Sequence, residues 1–382
     1  MHTLLVHLLL VPAWFAPLAI AVPFGNWQFN PETSLAAWSG FVKNSDASKH
    51  WNKCNSDDPS DYKYVPHAYF QDTTGNIREA LYQNAAWEEG NGGNPVAWAV
   101  PNSPIAVTNW WEGSDAKPVI LVFFLDVDGL LYEKRYDTGS GWRSGPRPLG
   151  RTVGFTPDKP GSLSVTRLGN EIFLIYQTPA LNGQATVAVC RYFWASNAVC
   201  KSEFESWGGA LPGTSTTVFA DDAGNPHIYY QSAASPYPIM EQYWDGSRWN
   251  TGTMKNAAMP QTQIAAIINR MGKTTPYSGY GAHFFANNDQ IYNYLTWSWY
   301  DSGPACSGWC PPRITGWVKK YDAAIAVTGC NRQMRSYFIT NEGKLGEAQG
   351  VDWGENPNMA PGGGSPYWGT WWWAGNTNVL GK

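Results

Sequence analysis

Along the chain, short apolar and aromatic runs alternate with polar turns, and one such unit is written six times. Its clearest copy is His67-Ala68-Tyr69-Phe70-Gln71-Asp72-Thr73-Thr74-Gly75-Asn76-Ile77-Arg78-Glu79, with Trp87 following. An apolar-aromatic run leads to a Gly turn, and a second run closes on Glu. Near-copies start at Val122, Leu174, Ile228, His283 and Ser336, stepping by about 52 to 55 residues. Thr74-Gly75, Asp128-Gly129 and Glu342-Gly343 are turn dipeptides between extended runs, so each unit contains a hairpin. Each hairpin is preceded by a small-residue strand: Thr33 to Trp38, Ser103 to Val107, Gly161 to Val165, Thr214 to Val218, Gln263 to Ala266 and Ala323 to Val327. Each is followed by a Trp: Trp87, Trp142, Trp207, Trp249, Trp309 and Trp353.

Four strands per unit, the first made of small residues, predict an all-β fold: a six-bladed β-propeller with four antiparallel strands per blade. Small side chains suit strands that crowd around a central axis. The tail from Trp368 to Trp373 is a candidate for a last outer strand. No long segment has the 3.6-residue helical period. A solenoid would have a shorter repeat and a sandwich would not repeat.

Composition adds a compartment and removes some partners. Leu4 to Ala21 is apolar and uncharged and ends in Ala19-Ile20-Ala21, which reads as a secretory signal over residues 1–21. Residues 22–382 then form a single propeller domain. The alternative, a membrane anchor, would use a run short for a span of about 20 residues. After signal removal no membrane span is expected, and the protein is expected to be secreted and extracellular. Six Cys fit that compartment. The pairings Cys190–Cys200, Cys306–Cys310 and Cys54–Cys330 are one of 15 connectivities. A zinc site at Cys306 and Cys310 lacks a second ligand pair at finger spacing. The formal net charge of −4 argues against a nucleic-acid partner, which would need a basic stripe.

Charged residues make up only 15% of the chain, whereas aromatics reach 15% with 22 Trp. So many rings exceed the needs of a core and are expected on surfaces and in grooves. Glu79, Glu133, Glu241 and Glu347 share one slot of the repeat, where the third and fifth copies have Val189 and Asn293. A strand-end carboxylate can simply discourage edge pairing. Recurring before a Trp, it also suits a sugar, whose hydroxyls need an acceptor and whose C–H face needs a ring.

At this point the repeat resembles the fucose-specific lectins of fungi, six-bladed propellers with sugar sites between adjacent blades. Ala68-Tyr69-Phe70-Gln71 with Ile77-Arg78-Glu79 is similar to the family unit, as is Ile228-Tyr229-Tyr230-Gln231 with Met240-Glu241-Gln242-Tyr243-Trp244. The resemblance covers roughly residues 35 to 355. It implies fucose held by an Arg before the Tyr-Tyr run, the Glu about twelve residues later and a Trp from a neighbouring blade. Only Arg335 with Glu347 keeps the polar pair. His67 and His227 stand in the Arg slot of the first and fourth copies, and Leu121, Phe173 and Ala282 in the others. An Arg fork offers several fixed donors, whereas a neutral His offers one.

The ligand-binding candidates are therefore Arg335, Glu347 and Trp353, then Glu79, His67 and Trp87, then Glu133 and Trp142, then Glu241, His227 and Trp249. The function expected is a secreted, non-catalytic lectin for glycans or glycoconjugates, fucosylated ones above all. No cofactor or metal is expected, and a homodimer is compatible with the reading. One rival is a propeller scaffold with decayed sugar sites that binds proteins. Another is a propeller glycoside hydrolase, which would need carboxylates facing one axial pocket. Asp245-Gly246-Ser247-Arg248-Trp249 only partly echoes a sialidase box. Asp126 and Asp128 read as a turn rather than a calcium loop.

Overall fold

The computed structural model describes residues 34–43, 51–52, 62–83, 86–112, 117–145, 163–178, 183–194, 203–221, 224–252, 258–269, 281–287, 294–301, 308–309, 313–318, 324–330, 333–339, 345–351 and 371–376. These residues build six antiparallel sheets that follow one another along the chain. The second sheet is typical: Ala106–Glu112, Lys117–Leu125, Leu131–Asp137 and Gly141–Ser144 pair in sequence order. The first strands of the six sheets contact each other in order, and Ala36–Lys43 meets Ile325–Cys330 of the last sheet. The sheets thus radiate from a common axis, as a β-propeller requires.

The inner strands are small-residue strands for a visible reason. Together they line an axial cavity of about 180 Å³, whose wall includes Ala36, Ala106, Ser164, Thr217, Ala265 and Ala326. Six strands meeting around one axis favour small side chains where they face it.

The expected four strands hold in the second, third, fourth and sixth sheets. The first sheet also pairs Trp51–Asn52 and Ala97–Trp98, and the fifth pairs both Gly308–Trp309 and Arg313–Val318 against Tyr294–Asp301. The tail does supply a strand. Trp371–Asn376 closes the sixth sheet, and Trp353 lies outside the described residues, as does the segment 1–33.

The core is divided among the seams between sheets. Leu121, Phe123, Leu174 and Tyr176 fill the second seam, and Tyr69, Ile77, Ile120 and Val122 fill the first. Alternating residues of each middle strand therefore serve opposite seams, as the period of two dictates. Burying each large side chain contributes roughly 1.5–3 kcal/mol.

A polar device sets the spacing of the seams. The buried Gln71 amide donates to the carbonyls of Gly75, Ala99 and Val100, at 3.1, 3.3 and 2.8 Å. Gln231 repeats this with Tyr237, Ala258 and Met259, and Gln177 donates to Leu211 while accepting from the Gly213 N–H. Each Gln thus ties its own sheet to the chain running toward the next. In the second sheet Leu125 holds this place, and the Ser103 hydroxyl accepts from its N–H instead. We expect Gln231→Ala to leave buried carbonyls unpaired and cost about 1–3 kcal/mol. Chemical denaturation measures that loss, and an unchanged midpoint would refute the clamp.

Candidate binding sites at the seams between sheets

The recurring Glu lies in each case on the third strand of its sheet, opposite the residue at the Tyr69 position. Glu79 faces Tyr69, Glu133 faces Phe123, Glu241 faces Tyr229 and Glu347 faces Tyr337. All four Glu are nearly fully buried, so none is a solvated edge charge.

The outer strand brings a glycine over each carboxylate. A Cβ at Gly90 would lie 2.4 Å from Glu79 Cγ. At Gly145 it would lie 2.6 Å from Glu133 Oε1, and at Gly252 2.0 Å from Glu241 Oε2. In the sixth sheet the backbone register sets Gly375 opposite Glu347. The three glycines stand at Trp87-x-x-Gly90, Trp142-x-x-Gly145 and Trp249-x-x-Gly252, and Trp372-x-x-Gly375 continues the pattern. This Trp-x-x-Gly spacing is a sequence signal that points to the Glu's packing partner. By the same spacing Trp372 is a second candidate in the sixth copy beside Trp353, which lies outside the described residues.

In three sheets the Glu joins a tyrosine and a nitrogen donor. In the sixth, Arg335 Nη1 is in direct contact with Glu347 Oε1, and the Tyr337 hydroxyl lies 3.4 Å from the same oxygen. Across the seam, Trp87 Nε1 of the first sheet donates to Glu347 Oε2 at 3.3 Å. Tyr82 of the first sheet stacks its ring 5.2 Å from the Arg335 guanidinium. Arg335, Tyr337 and Glu347 with Tyr82 and Trp87 therefore form one constellation from two sheets.

In the first sheet, His67 Nδ1 lies 2.9 Å from Glu79 Oε1, and the Tyr69 hydroxyl donates to it at 2.5 Å. Trp38 stacks on the His67 ring at 4.0 Å and donates to the Tyr69 oxygen. Trp142 of the second sheet meets Tyr69 edge-on at 6.2 Å. Burial, and then the Glu79 charge, hold the Tyr69 hydroxyl well above its usual pKa, so it stays a donor. In the fourth sheet, His227 Nδ1 lies 3.1 Å from Glu241 and Tyr229 donates at 2.6 Å. Phe219 and Tyr243 stack on the two sides of His227.

The second sheet departs from this plan. Leu121 and Phe123 fill the donor and Tyr positions, so the sheet offers Glu133 neither group. Tyr192 of the third sheet reaches across and donates to Glu133 Oε2 at 2.7 Å. Burial raises the Glu133 pKa to about 7, against the opposing pull of Tyr192 and Arg135.

The Trp candidates thus serve the sheet before their own. Trp87 works with Glu347 rather than Glu79, and Trp142 with Tyr69 rather than Glu133. Trp249 packs on Trp207 at the third seam rather than beside Glu241. The backbone register also corrects the fifth copy by one residue. His283 pairs with Ile267, as His67 pairs with Trp38, so His283 and not Ala282 holds the donor position. Trp297, opposite Phe285, holds the Glu position in place of Asn293. The fifth sheet lacks the carboxylate in either alignment.

Two further acids close turns. Asp245 accepts from the Ser247 N–H and hydroxyl and the Arg248 N–H, closing a turn. Asp126 does the same with the Asp128 and Leu130 N–H groups. Among the described residues no group of acids, His and Cys could hold a metal.

Propeller sheets whose seams pair a buried Glu with Tyr, His or Arg and an aromatic wall define a carbohydrate-binding lectin. The model of the fungal fucose-specific lectin family matches residues 60–308, and the chain belongs to that family. It is similar to fucose-specific lectins of Aspergillus oryzae, at 28% identity over 60% of this chain and 70% of the relative, and of Aspergillus fumigatus, at 28% over 65% and 75%. The fold is similar to that of an Aleuria aurantia lectin variant in complex with alpha-methyl-L-fucoside, with a TM-score of 0.65, 22% identity and coverage of 92% of this chain and 99% of that one. Membership makes this a binding protein and not an enzyme.

Two measurements test the geometry. We expect Gly252→Ala to expel the Glu241 side chain from its place and to destabilise the fold by about 1–3 kcal/mol. A thermal melt reads this directly. The raised Glu133 pKa means that the folded state holds a proton the unfolded chain releases. Its stability contribution is therefore present below about pH 4.5 and is lost as pH rises through about 7. The stability of Glu133→Gln relative to the parent should accordingly rise between pH 5 and pH 8. A flat difference would refute the assignment.

Proposed function

We propose that the protein is a secreted six-bladed propeller lectin that recognises fucose-containing glycans in pockets between adjacent blades. The observation that carries this is the meeting of Arg335, Tyr337 and Trp87 on the single carboxylate of Glu347, from both sides of one seam. A monosaccharide needs this set: fixed donors and an acceptor for its hydroxyls, and a ring for its apolar face. The sites at His67–Glu79 and His227–Glu241 have the same plan with a weaker donor. The Glu133 seam lacks the Tyr and nitrogen donor from its own sheet.

The six-bladed count is supported by six sheets whose inner strands contact in a ring, and by the Aleuria aurantia lectin, described as a six-bladed β-propeller. The fucose reading is supported by the family, by the curated relatives and by the fucoside bound to that lectin. Secretion is supported by the apolar segment 4–21 and by Cys190, which is disulfide-bonded. The signal segment and Cys54, Cys200, Cys306 and Cys310 lie outside the described residues.

A glycan array tests the ligand class: strong signals on fucosylated glycans are expected, and folded protein that binds no fucosylated glycan refutes the reading. In calorimetry with methyl α-L-fucoside, Glu347→Ala and Arg335→Ala should each weaken the tightest class of site by about tenfold or more. Binding unchanged in both would move the principal site elsewhere.

A further inference from the structure

The seam between the second and third sheets has its own chemistry. Leu121 and Phe123 remove the donor and the tyrosine of the other sites, but a guanidinium returns one strand further out. Arg135 stands directly across from Leu121, two residues past Glu133 on the same face. Its guanidinium lies over the ring of Trp194 from the third sheet at 4.4 Å. Trp194 leans on Trp110 at 5.0 Å, and Arg167 of the third sheet covers Trp110 at 4.6 Å. Two cations therefore flank a pair of indoles contributed by the two sheets.

The donors of this cluster are incompletely used. Nε of Arg135 and Nε of Arg167 are both buried without a hydrogen-bond partner. Among the described residues, the charged and titratable groups on the faces turned to the seam include Glu112, Glu133, Arg135, Asp137, Arg143, Arg167, Tyr176 and Tyr192, and Asp137 is paired with Arg143 at 2.9 Å. Glu112 forms a long ion pair with Arg135, 3.9 Å from Nη2 and beyond hydrogen-bond range, and accepts from Trp110 Nε1. Glu133 is occupied by Tyr192, and burial drives it toward its neutral form. The Arg135 side chain keeps 17% of its surface exposed. A guanidinium stacked by its face, with edge donors unspent, suits a planar carboxylate better than a neutral hydroxyl.

We infer that this seam binds a carboxylate-bearing sugar residue of a glycan, with the carboxylate on the Arg135 fork and the sugar's apolar face on Trp194. Arg167 adds a second positive charge to the site. A neutral Glu133 does not repel the incoming anion, so the site works best on the acidic side of pH 7. The site is independent of the Arg335–Glu347 seam.

Calorimetry on the full chain tests this with methyl β-D-glucuronide, methyl α-N-acetylneuraminide and the neutral methyl β-D-glucoside. At least one acid should bind about tenfold tighter than the glucoside at pH 6, and several-fold weaker at pH 8. Which acid binds separates a uronic from a sialic ligand. Arg135→Gln should abolish that binding, Arg135→Lys should weaken it, and Glu133→Gln should remove its pH dependence. Arg335→Gln should leave it intact, which separates this site from the fucose reading. Equal binding of acid and neutral sugar, no binding of either acid by the parent protein, or acid binding that survives Arg135→Gln and falls with Arg335→Gln overturns the inference. Should Arg135→Gln fail to fold, the parent protein's preference and the Glu133→Gln pH series decide.

Discussion

The site-bearing seams depend on one close approach, a buried glutamate carboxylate packed against the backbone of a glycine on the next strand. A Cβ at Gly90, Gly145 or Gly252 would overlap the carboxylate above it, so only glycine lets the outer strand close over the Glu. The Glu in turn needs partners, because a buried charge without them is costly. In three sheets it takes them from its own sheet, as a Tyr hydroxyl and a His or Arg nitrogen. The last partner comes from the neighbouring sheet, as Trp87 shows at Glu347. Each Glu constellation is therefore a property of a seam and not of a repeat. The Gln71, Gln177 and Gln231 clamps, which hold each sheet to the next stretch of chain, serve the sites as well as the fold.

Within that frame the copies have diverged in chemistry while keeping their packing. Arg335, His67 and His227 occupy the same position and meet the same carboxylate, yet they differ in charge and in number of donors. A buried Arg–Glu pair gains little net stability over apolar packing, which fits a role in recognition rather than in holding the sheet together. Where the second sheet loses both donor and Tyr, the third sheet supplies Tyr192 to the orphaned Glu133. The carboxylate is kept, but its pKa rises and its surroundings become cationic. The third sheet completes the series. With Val189 in place of the Glu, its seam with the fourth closes on Trp207 and Trp249 instead.

Much of this was legible in the chain. The period, the small inner strands, the hairpins and the final outer strand follow from alternation, turn chemistry and crowding at an axis, all local or periodic properties. The recurring Glu and the single Arg335–Glu347 pair were visible as residue types in a fixed slot. The partner glycines could have been found from the Trp-x-x-Gly spacing. The frame of the fifth copy is one residue off the frame its sequence suggests, because its strand has no Tyr-Tyr-Gln run to fix it and only backbone pairing sets it.

The sequence by itself determined a repeating all-β architecture and which copies carry an acid, a base or neither. Only the tertiary structure decided which groups meet. Trp87 lies 260 positions from Glu347, and Tyr192 lies 59 positions from Glu133. No local pattern encodes either contact. Closing the ring of sheets brings the first next to the last, and the order of the sheets around the axis pairs each acid with its neighbour's rings.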